Sequence, residues 1–305
     1  MTKLIGHKNI LQQLSETVKC GRVGHAYIFE GVDGIGKTTA AFWFARNSMC
    51  VTNSGTPCGA CENCIKAAAG THPDIKYVDE AFIGNPKIKP GTVETMRIIK
   101  KDAYTTPFMA KRKFYIIPDG DELLPPAQNT LLKIFEEPPE YCTIIIICKN
   151  RNKLLQTITS RAVTVSFSPL SDGEMQEYFS ENKIACTENL VRMCGGIPAL
   201  AKTFAPDSET LAEFNKITAA FERYLKSEGD MTEILPLITK DNSDFALSCM
   251  EAAVSDTKHA ADEFCAAYLN IFDILQNTRR RLRINCNFNL AVTDMLIKSW
   301  EAIHG

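Results

Sequence analysis

The stretch His25-Ala26-Tyr27-Ile28-Phe29-Glu30, followed by Gly31-Val32-Asp33-Gly34-Ile35-Gly36-Lys37-Thr38, decides the fold. Its first six residues are a short, aromatic-rich apolar run ending at a glycine, which predicts a buried strand feeding a loop. The next eight satisfy G-x-x-x-x-G-K-[ST] in full, and a helix is predicted from Lys37 to about Met49. Between a strand and a helix, such glycines fold the backbone into a nest of N–H donors, and the positive end of the helix dipole adds to it. Gly31, Gly34, Gly36, Lys37, Thr38 and Thr39 are therefore the candidate nucleotide-binding residues. Lys37 would reach the β and γ phosphates and Thr38 would hold Mg2+, so ATP or ADP with Mg2+ is the expected ligand.

Upstream, Ile10, Leu11, Leu14 and Val18 recur at helical spacing over residues 7–20. Downstream, strands are predicted at 75–78, 114–117, 143–148 and 163–167, with helices at 92–104 and 127–137. Pro138-Pro139 stops the second of these helices, and residues 51–64 form a turn-rich insert. The run 143–148 is continuous and β-branched, as in a strand covered on both faces. Strands alternating with helices imply a parallel, two-sided α/β sheet. After Pro169 the strand signal ends. Short helices are predicted at 171–182, 187–194 and 197–204, with Gly195-Gly196 breaking the last two, and longer amphipathic helices from 208 to 305. The expected domains are an α/β domain over 1–168 with a cysteine module at 50–64, a helical lid over 169–207, and a helical C-terminal domain over 208–305.

Composition narrows the class. Of 305 residues, 45% are hydrophobic and 23% charged, which excludes disordered, collagen-like and coiled-coil chains. Lys and Arg number 34 against 36 Asp and Glu, so the chain lacks the basic footprint of a protein that grips nucleic acid alone. No apolar run of about 18 residues is present, and the start MTKLIGHKNI lacks the apolar core of a signal peptide. A cytoplasmic location is expected.

Twelve cysteines are many for a reducing compartment, so their spacing matters. Cys20, Cys142, Cys148, Cys186, Cys194, Cys249, Cys265 and Cys286 lie scattered in apolar stretches and read as small core residues. Cys50, Cys58, Cys61 and Cys64 instead form C-x7-C-x2-C-x2-C, with Gly55, Pro57 and Gly59 making turns. Four thiolates at this spacing suit a closed structural Zn2+ site. Iron–sulfur ligation is the chemical alternative, and a dithiol redox pair would need only two of the four.

A hydrolysing P-loop protein also needs an apolar strand ending in an acid that organises magnesium, usually followed by Glu. The run Phe114-Tyr115-Ile116-Ile117 ends in Pro118, which has no carboxylate. Asp119, Asp121 and Glu122 come one to four places later and read as solvated loop acids, the alternative being a slipped register that makes Asp119 the magnesium ligand. Binding without appreciable hydrolysis is the expectation. Elsewhere, Phe42, Trp43 and Phe44 read as core, the five histidines are too dispersed for a metal site, and Arg279-Arg280-Arg281 with Arg283 reads as a solvated face making local ion pairs.

Several stretches together resemble bacterial clamp-loader subunits of the AAA+ class. They are Ile5-Gly6-His7, the His25–Gly31 approach to the P-loop, His72-Pro73-Asp74, and above all Asn129-Thr130-Leu131-Leu132-Lys133-Ile134-Phe135-Glu136-Glu137-Pro138-Pro139. Leu154-Leu155, Thr157-Ile158 and Ser160-Arg161 follow at the family's spacing, and the likeness covers about residues 1–205. The resemblance implies an AAA+ P-loop domain with a lid, a helical collar that mediates oligomerisation, and the zinc module at Cys50, Cys58, Cys61 and Cys64. It implies a hetero-oligomer with gamma/tau and delta subunits that meets a sliding clamp and primed DNA within DNA polymerase III. The family's Asp-Glu pair falls on Pro118 and Asp119, its sensor 1 position on Cys148 or Lys149, and its sensor 2 arginine on Pro198. These departures, and a length short for the gamma/tau motor type, place the resemblance with the non-hydrolysing type of subunit. The resemblance also makes Arg161 an arginine finger acting in trans on a neighbour's ATP, although Ala162 replaces the family's usual cysteine beside it.

Overall fold

The computed structural model describes residues 4–184, 188–203, 209–257, 265–283 and 286–304. They fall into two compact units, one within Met1–Tyr178 and Ile197–Ala199, the other within Phe179–Gly196 and Leu200–Gly305.

In the first unit, α1 (Lys8–Lys19) precedes β1 (Ala26–Glu30), the glycine loop and α2 (Lys37–Met49). Next come α3 (Glu62–Ala68), β2 (Ile75–Tyr77), α4 (Glu80–Ile83) and α5 (Val93–Ala103). β3 (Lys113–Ile117), α6 (Pro125–Glu136), β4 (Cys142–Cys148), α7 (Gln156–Thr159) and β5 (Val163–Ser166) complete it, with the start of α8 (Asp172–Glu181). The five strands form one parallel sheet in the order β2-β3-β4-β1-β5. β1 and β4 are neighbours in register, Ile28 opposite Ile146 and Glu30 opposite Cys148, so the ends of both open at one edge beside the glycine loop.

Alternation along the strands sorts side chains onto two faces. Ile28, Tyr115, Ile117, Ile144 and Ile146 pack with Met96 and Ile99 of α5 and Leu131 and Phe135 of α6. Tyr27, Phe29, Phe114, Ile116, Ile145 and Ile147 pack with Leu14 and Val18 of α1 and Phe44 of α2. Both faces are covered, which is why β4 reads as an unbroken β-branched run. β5 is an edge strand, and its Val163 is exposed.

The second unit continues with α9 (Glu188–Cys194), α10 (Leu200–Thr203), α11 (Glu209–Leu225), α12 (Met231–Ile234), α13 (Ser243–Thr257), α14 (Cys265–Arg283) and α15 (Phe288–His304). Its core gathers Phe214, Ile217, Phe221, Met250, Ile271 and Leu296. Arg279 pairs with Glu251 at 3.0 Å and Asp244 at 3.4 Å, and Arg281 with Asp294 at 2.6 Å. These two arginines make local ion pairs as expected, but Arg279 is only 17% exposed and so does not belong to a solvated face, while the side chain of Arg283 lies outside the described residues. No helix among the described residues is long and apolar enough to cross a membrane.

Two expectations need correction. Cys20 is exposed at the C-terminal end of α1, where the chain turns away from the core, and Cys286 is only partly covered. Cys142, Cys148, Cys194 and Cys249 are buried as expected, whereas Cys186 and the side chain of Cys265 lie outside the described residues. The short helix α3 also begins inside the stretch expected to be a turn-rich insert, and α4 and α7 are short helices for which no element was expected. α3 and α4 start on side-chain caps, the Cys61 sulfur accepting from the Cys64 amide and the Asp79 carboxylate from the Phe82 amide.

Candidate functional site

The glycine loop leaves β1 at Gly31, whose amide donates to the Cys148 carbonyl at 3.2 Å and so ties the loop to the end of β4. Gly34 and Gly36 have φ of 79° and 108°, backbone that a side chain would strain, and Gly36 is the N-cap of α2. A Cβ on Gly34 would lie 2.6 Å from that of Ala199, and the Gly34 carbonyl accepts from the Ala199 amide at 3.3 Å. Residues 197–199 thus lie against the loop apex, and Pro198 brings no cation there.

Lys37, only 6% exposed, turns its ammonium back onto the loop. It donates to the carbonyls of Gly31 and Val32, and Asp33 stands 3.7 Å away. Burial draws the Lys37 pKa below its ordinary value, against the opposing pull of Asp33 and Cys148. Thr38 and Thr39 are partly exposed and line a cavity of about 830 Å³ between α1 and α2, together with Leu4, Leu11, Phe42, Trp43 and Arg46. Of the three aromatic residues expected in the core, only Phe44 is fully buried. Phe42 stacks on Tyr77 at 5.6 Å, and both Phe42 and Trp43 border the cavity because α2 turns that face toward α1.

β3 ends at Ile117; Pro118 follows it, and then Asp119, exposed and with φ of 51°. Asp121 is not a free loop acid as expected. Its carboxylate accepts from the backbone amides of Lys149 and Asn150, fixing the chain where it leaves β4. At the two positions that the resemblance implies for sensor 1, Cys148 is buried, and burial pushes its thiol up to about 12, whereas Lys149 is exposed and pairs with Asp33 at 2.6 Å.

Arg161 follows α7 and is 40% exposed. It donates to the Thr157 carbonyl at 3.0 Å and lies 3.7 Å from Glu136 of α6, so its polar partners are not P-loop residues. Gln128, which sequence reasoning missed, ties the first turns of α6 to the chain entering α7. Its buried amide donates to the Leu123 and Lys153 carbonyls and accepts from the Leu155 amide at 2.7 Å.

The cluster Cys50, Cys58, Cys61 and Cys64 brings four sulfurs within 4.8 Å of one another, the one group of potential metal ligands found among the described residues. Thiolates around a tetrahedral zinc, at about 2.3 Å each, are about 3.8 Å apart; Cys58 and Cys64 are at 4.0 Å. The amides of Cys58, Cys61 and Cys64 point at the sulfurs of Cys50, Cys58 and Cys61 at 3.3, 3.4 and 3.4 Å, which favours thiolate. Burial opposes this at Cys50, yet hydrogen bonds from Thr52 and Cys58 bring it down to about 6, while burial pushes Cys64 up to about 12. The donor set fits a structural zinc.

His72-Pro73-Asp74 proves to be a fastening. The Asp74 carboxylate accepts from three consecutive amides, Phe108 at 2.6 Å, Met109 at 2.8 Å and Ala110 at 2.9 Å. Burial alone would raise its pKa, but these amides hold it below the usual carboxylate value. The partners lie 34–36 residues away, so no local signal could have revealed them.

A glycine loop between β1 and α2 of a parallel, two-sided sheet defines a P-loop α/β protein. More narrowly, the chain belongs to the DNA polymerase III clamp-loader family: the family profile described as "DNA polymerase III, delta subunit" matches residues 6–171. The chain is 30% identical over 176 residues to DNA polymerase III subunit delta' of Bacillus subtilis, covering 58% of this chain and 52% of that protein. It is 31% identical over 188 residues to subunit tau/gamma of Haemophilus influenzae, covering 61% of this chain and 26% of that protein. These matches span about half and about a quarter of the two relatives' lengths. A DNA polymerase III gamma subunit-related structure from Thermotoga maritima matches at a TM-score of 0.47 and 18% identity, over 96% of this chain and 99% of that one.

Proposed function

We propose that this chain is a delta-prime-type clamp-loader subunit in DNA replication, a partner that completes a neighbour's ATP site and hydrolyses little itself. In this reading it works in the cytoplasm, in a hetero-oligomer with gamma/tau and delta subunits, and meets the sliding clamp and primed DNA only through that assembly. Residues 169–207 act as its lid and residues 208–305 as its collar. The P-loop residues Gly31, Gly34, Gly36, Lys37, Thr38 and Thr39 hold ATP or ADP with Mg2+, and Cys50, Cys58, Cys61 and Cys64 hold one structural zinc.

The observation that carries this reading is the end of β3. Pro118 offers no carboxylate, Asp119 beside it sits in left-handed backbone one place beyond the strand-end position, and Asp121 is committed to the backbone of residues 149 and 150. Without an acid organising magnesium and water, a bound triphosphate lacks the groups that start hydrolysis. Pro198 beside Gly34 supports the same conclusion. Arg161 supports the role in trans, because a partly exposed guanidinium held only by one carbonyl and one loose ion pair is free to meet a neighbour's phosphate.

The intact P-loop favours a second reading, a gamma/tau-type motor with a degenerate acid strand. Turnover by the isolated chain separates the two. We expect negligible ATP hydrolysis; steady turnover near ~1 s⁻¹, the low end of ordinary enzyme rates, abolished by Lys37→Ala, would establish the motor instead.

A further inference from the structure

Asp33 is the one acidic residue within the loop of residues 31–38. Its carboxylate lies 2.6 Å from the Lys149 ammonium and 3.7 Å from that of Lys37. One side chain therefore bridges the loop's own lysine and the cation that follows β4. The fold does not require this bridge, because Asp33 and Lys149 are 67% and 61% exposed, and exposed pairs add little stability. The loop backbone beside it is nevertheless held in place, since Gly34 abuts Ala199 and accepts its amide.

The lysine of such a loop addresses the β and γ phosphates of a nucleotide. A carboxylate 3.7 Å from that ammonium competes with the terminal phosphate of a triphosphate for the same lysine. Like charges a few ångströms apart repel, and a diphosphate, one phosphate shorter, is spared most of that repulsion. We propose that Asp33 sets the phosphate-number preference of this loop, disfavouring nucleoside triphosphate relative to diphosphate. This rests on the reading of the loop as a nucleotide site, and extends it from binding to selectivity. The principle is specificity by repulsion: a charge placed against the wrong ligand discriminates without any added contact to the right one. Lys149 holds the Asp33 carboxyl below its ordinary pKa, and near neutral pH the carboxylate is ionised with or without that pairing.

The test titrates the full chain with fluorescent ADP and fluorescent ATP, each with Mg2+, in wild type and in Asp33→Asn, Asp33→Glu and Lys37→Ala. Asp33→Asn should tighten ATP by roughly tenfold and ADP by less than about threefold. Asp33→Glu keeps the charge and should keep the wild-type ratio, and Lys37→Ala should weaken both nucleotides. If Asp33→Asn shifts both nucleotides alike, leaves both unchanged, or weakens ATP as loss of a magnesium ligand would, the proposal falls while the nucleotide site stands. If wild type and Asp33→Asn bind neither nucleotide, or Lys37→Ala binds both as wild type does, the nucleotide reading itself falls and takes this proposal with it.

Discussion

The two edges of the sheet treat charge in opposite ways. Where the strands begin, ionised groups are buried and saturated. Asp74 is 1% exposed with three amide donors, and Lys113 is 4% exposed with its ammonium bound by Thr105 at 2.7 Å and the Asp102 carbonyl at 3.1 Å. Tyr115 closes that second cluster by donating to Asp102 at 2.5 Å. Where the strands end, Asp33 and Lys149 are paired with each other in the open at 67% and 61% exposure, and Asp119 is exposed as well. A charge that fastens a loop must be fully partnered, because a buried unpaired charge is costly. A charge kept for a ligand must be able to change partners, and solvent exposure allows it. Ligands of parallel α/β sheets gather outside the carboxyl ends of the strands, and in this protein the uncommitted charges lie at that end.

Loss of metal should have the largest effect. We expect one zinc per chain on elemental analysis, and none in Cys64→Ser, with local loosening around α3 seen as faster hydrogen exchange. Iron would replace the zinc assignment with iron–sulfur ligation, and no metal in the wild type would remove the metal role altogether.

Asp74→Asn comes next, and it tests the buried edge. An amide cannot accept three N–H bonds as a carboxylate does, so urea unfolding should show a loss of about 2–4 kcal/mol. The pH dependence has a definite sign. The folded pKa of Asp74 is lowered, so its contribution is fully present above the unfolded-chain value of about 3.9 and is lost as pH falls through the lower folded value. Wild type should therefore lose stability relative to Asp74→Asn as the medium is acidified. A pH-independent difference would mean that Asp74 acts by shape alone. By contrast, Asp33→Asn at the open edge should change stability by no more than about 0.5 kcal/mol.

The same contrast governs what the sequence disclosed. The glycine loop, α2 and β4 follow from local patterns, a motif between strand and helix and an unbroken β-branched run, and the cysteine set follows from its spacing alone. Asp74 was legible only as part of a family-like triplet, since its partners lie on a distant loop. Asp121 was read as a loop acid for the same reason, its partners at 149 and 150 being 28 and 29 residues away. The Asp33–Lys149 bridge spans 116 positions and is created by the adjacency of β1 and β4. The helix α3 was hidden because the turn residues among the cysteines outweighed its seven-residue pattern. Periodicity reports what a residue does for its own element; it does not report a hydrogen bond made across the sheet.

The smallest expected effect is also the most telling. Arg161 contributes little to the folded chain, so Arg161→Ala should leave stability and assembly intact, within about 0.5 kcal/mol. In other phosphoryl-transfer systems an arginine finger accounts for roughly 10³–10⁵ in rate. Where only one of several ATP sites in a complex loses it, the whole-complex defect should be much smaller. The decisive measurement is DNA- and clamp-stimulated ATPase in a complex reconstituted with gamma/tau and delta subunits, comparing Arg161→Ala, Arg161→Lys and Lys37→Ala in this chain. We predict slowed turnover for Arg161→Ala, poor rescue by Arg161→Lys because a point charge cannot copy the planar fork, and near-normal turnover for Lys37→Ala. A harmless Arg161→Ala together with a Lys37→Ala that abolishes activity would contradict the account and make this chain a motor.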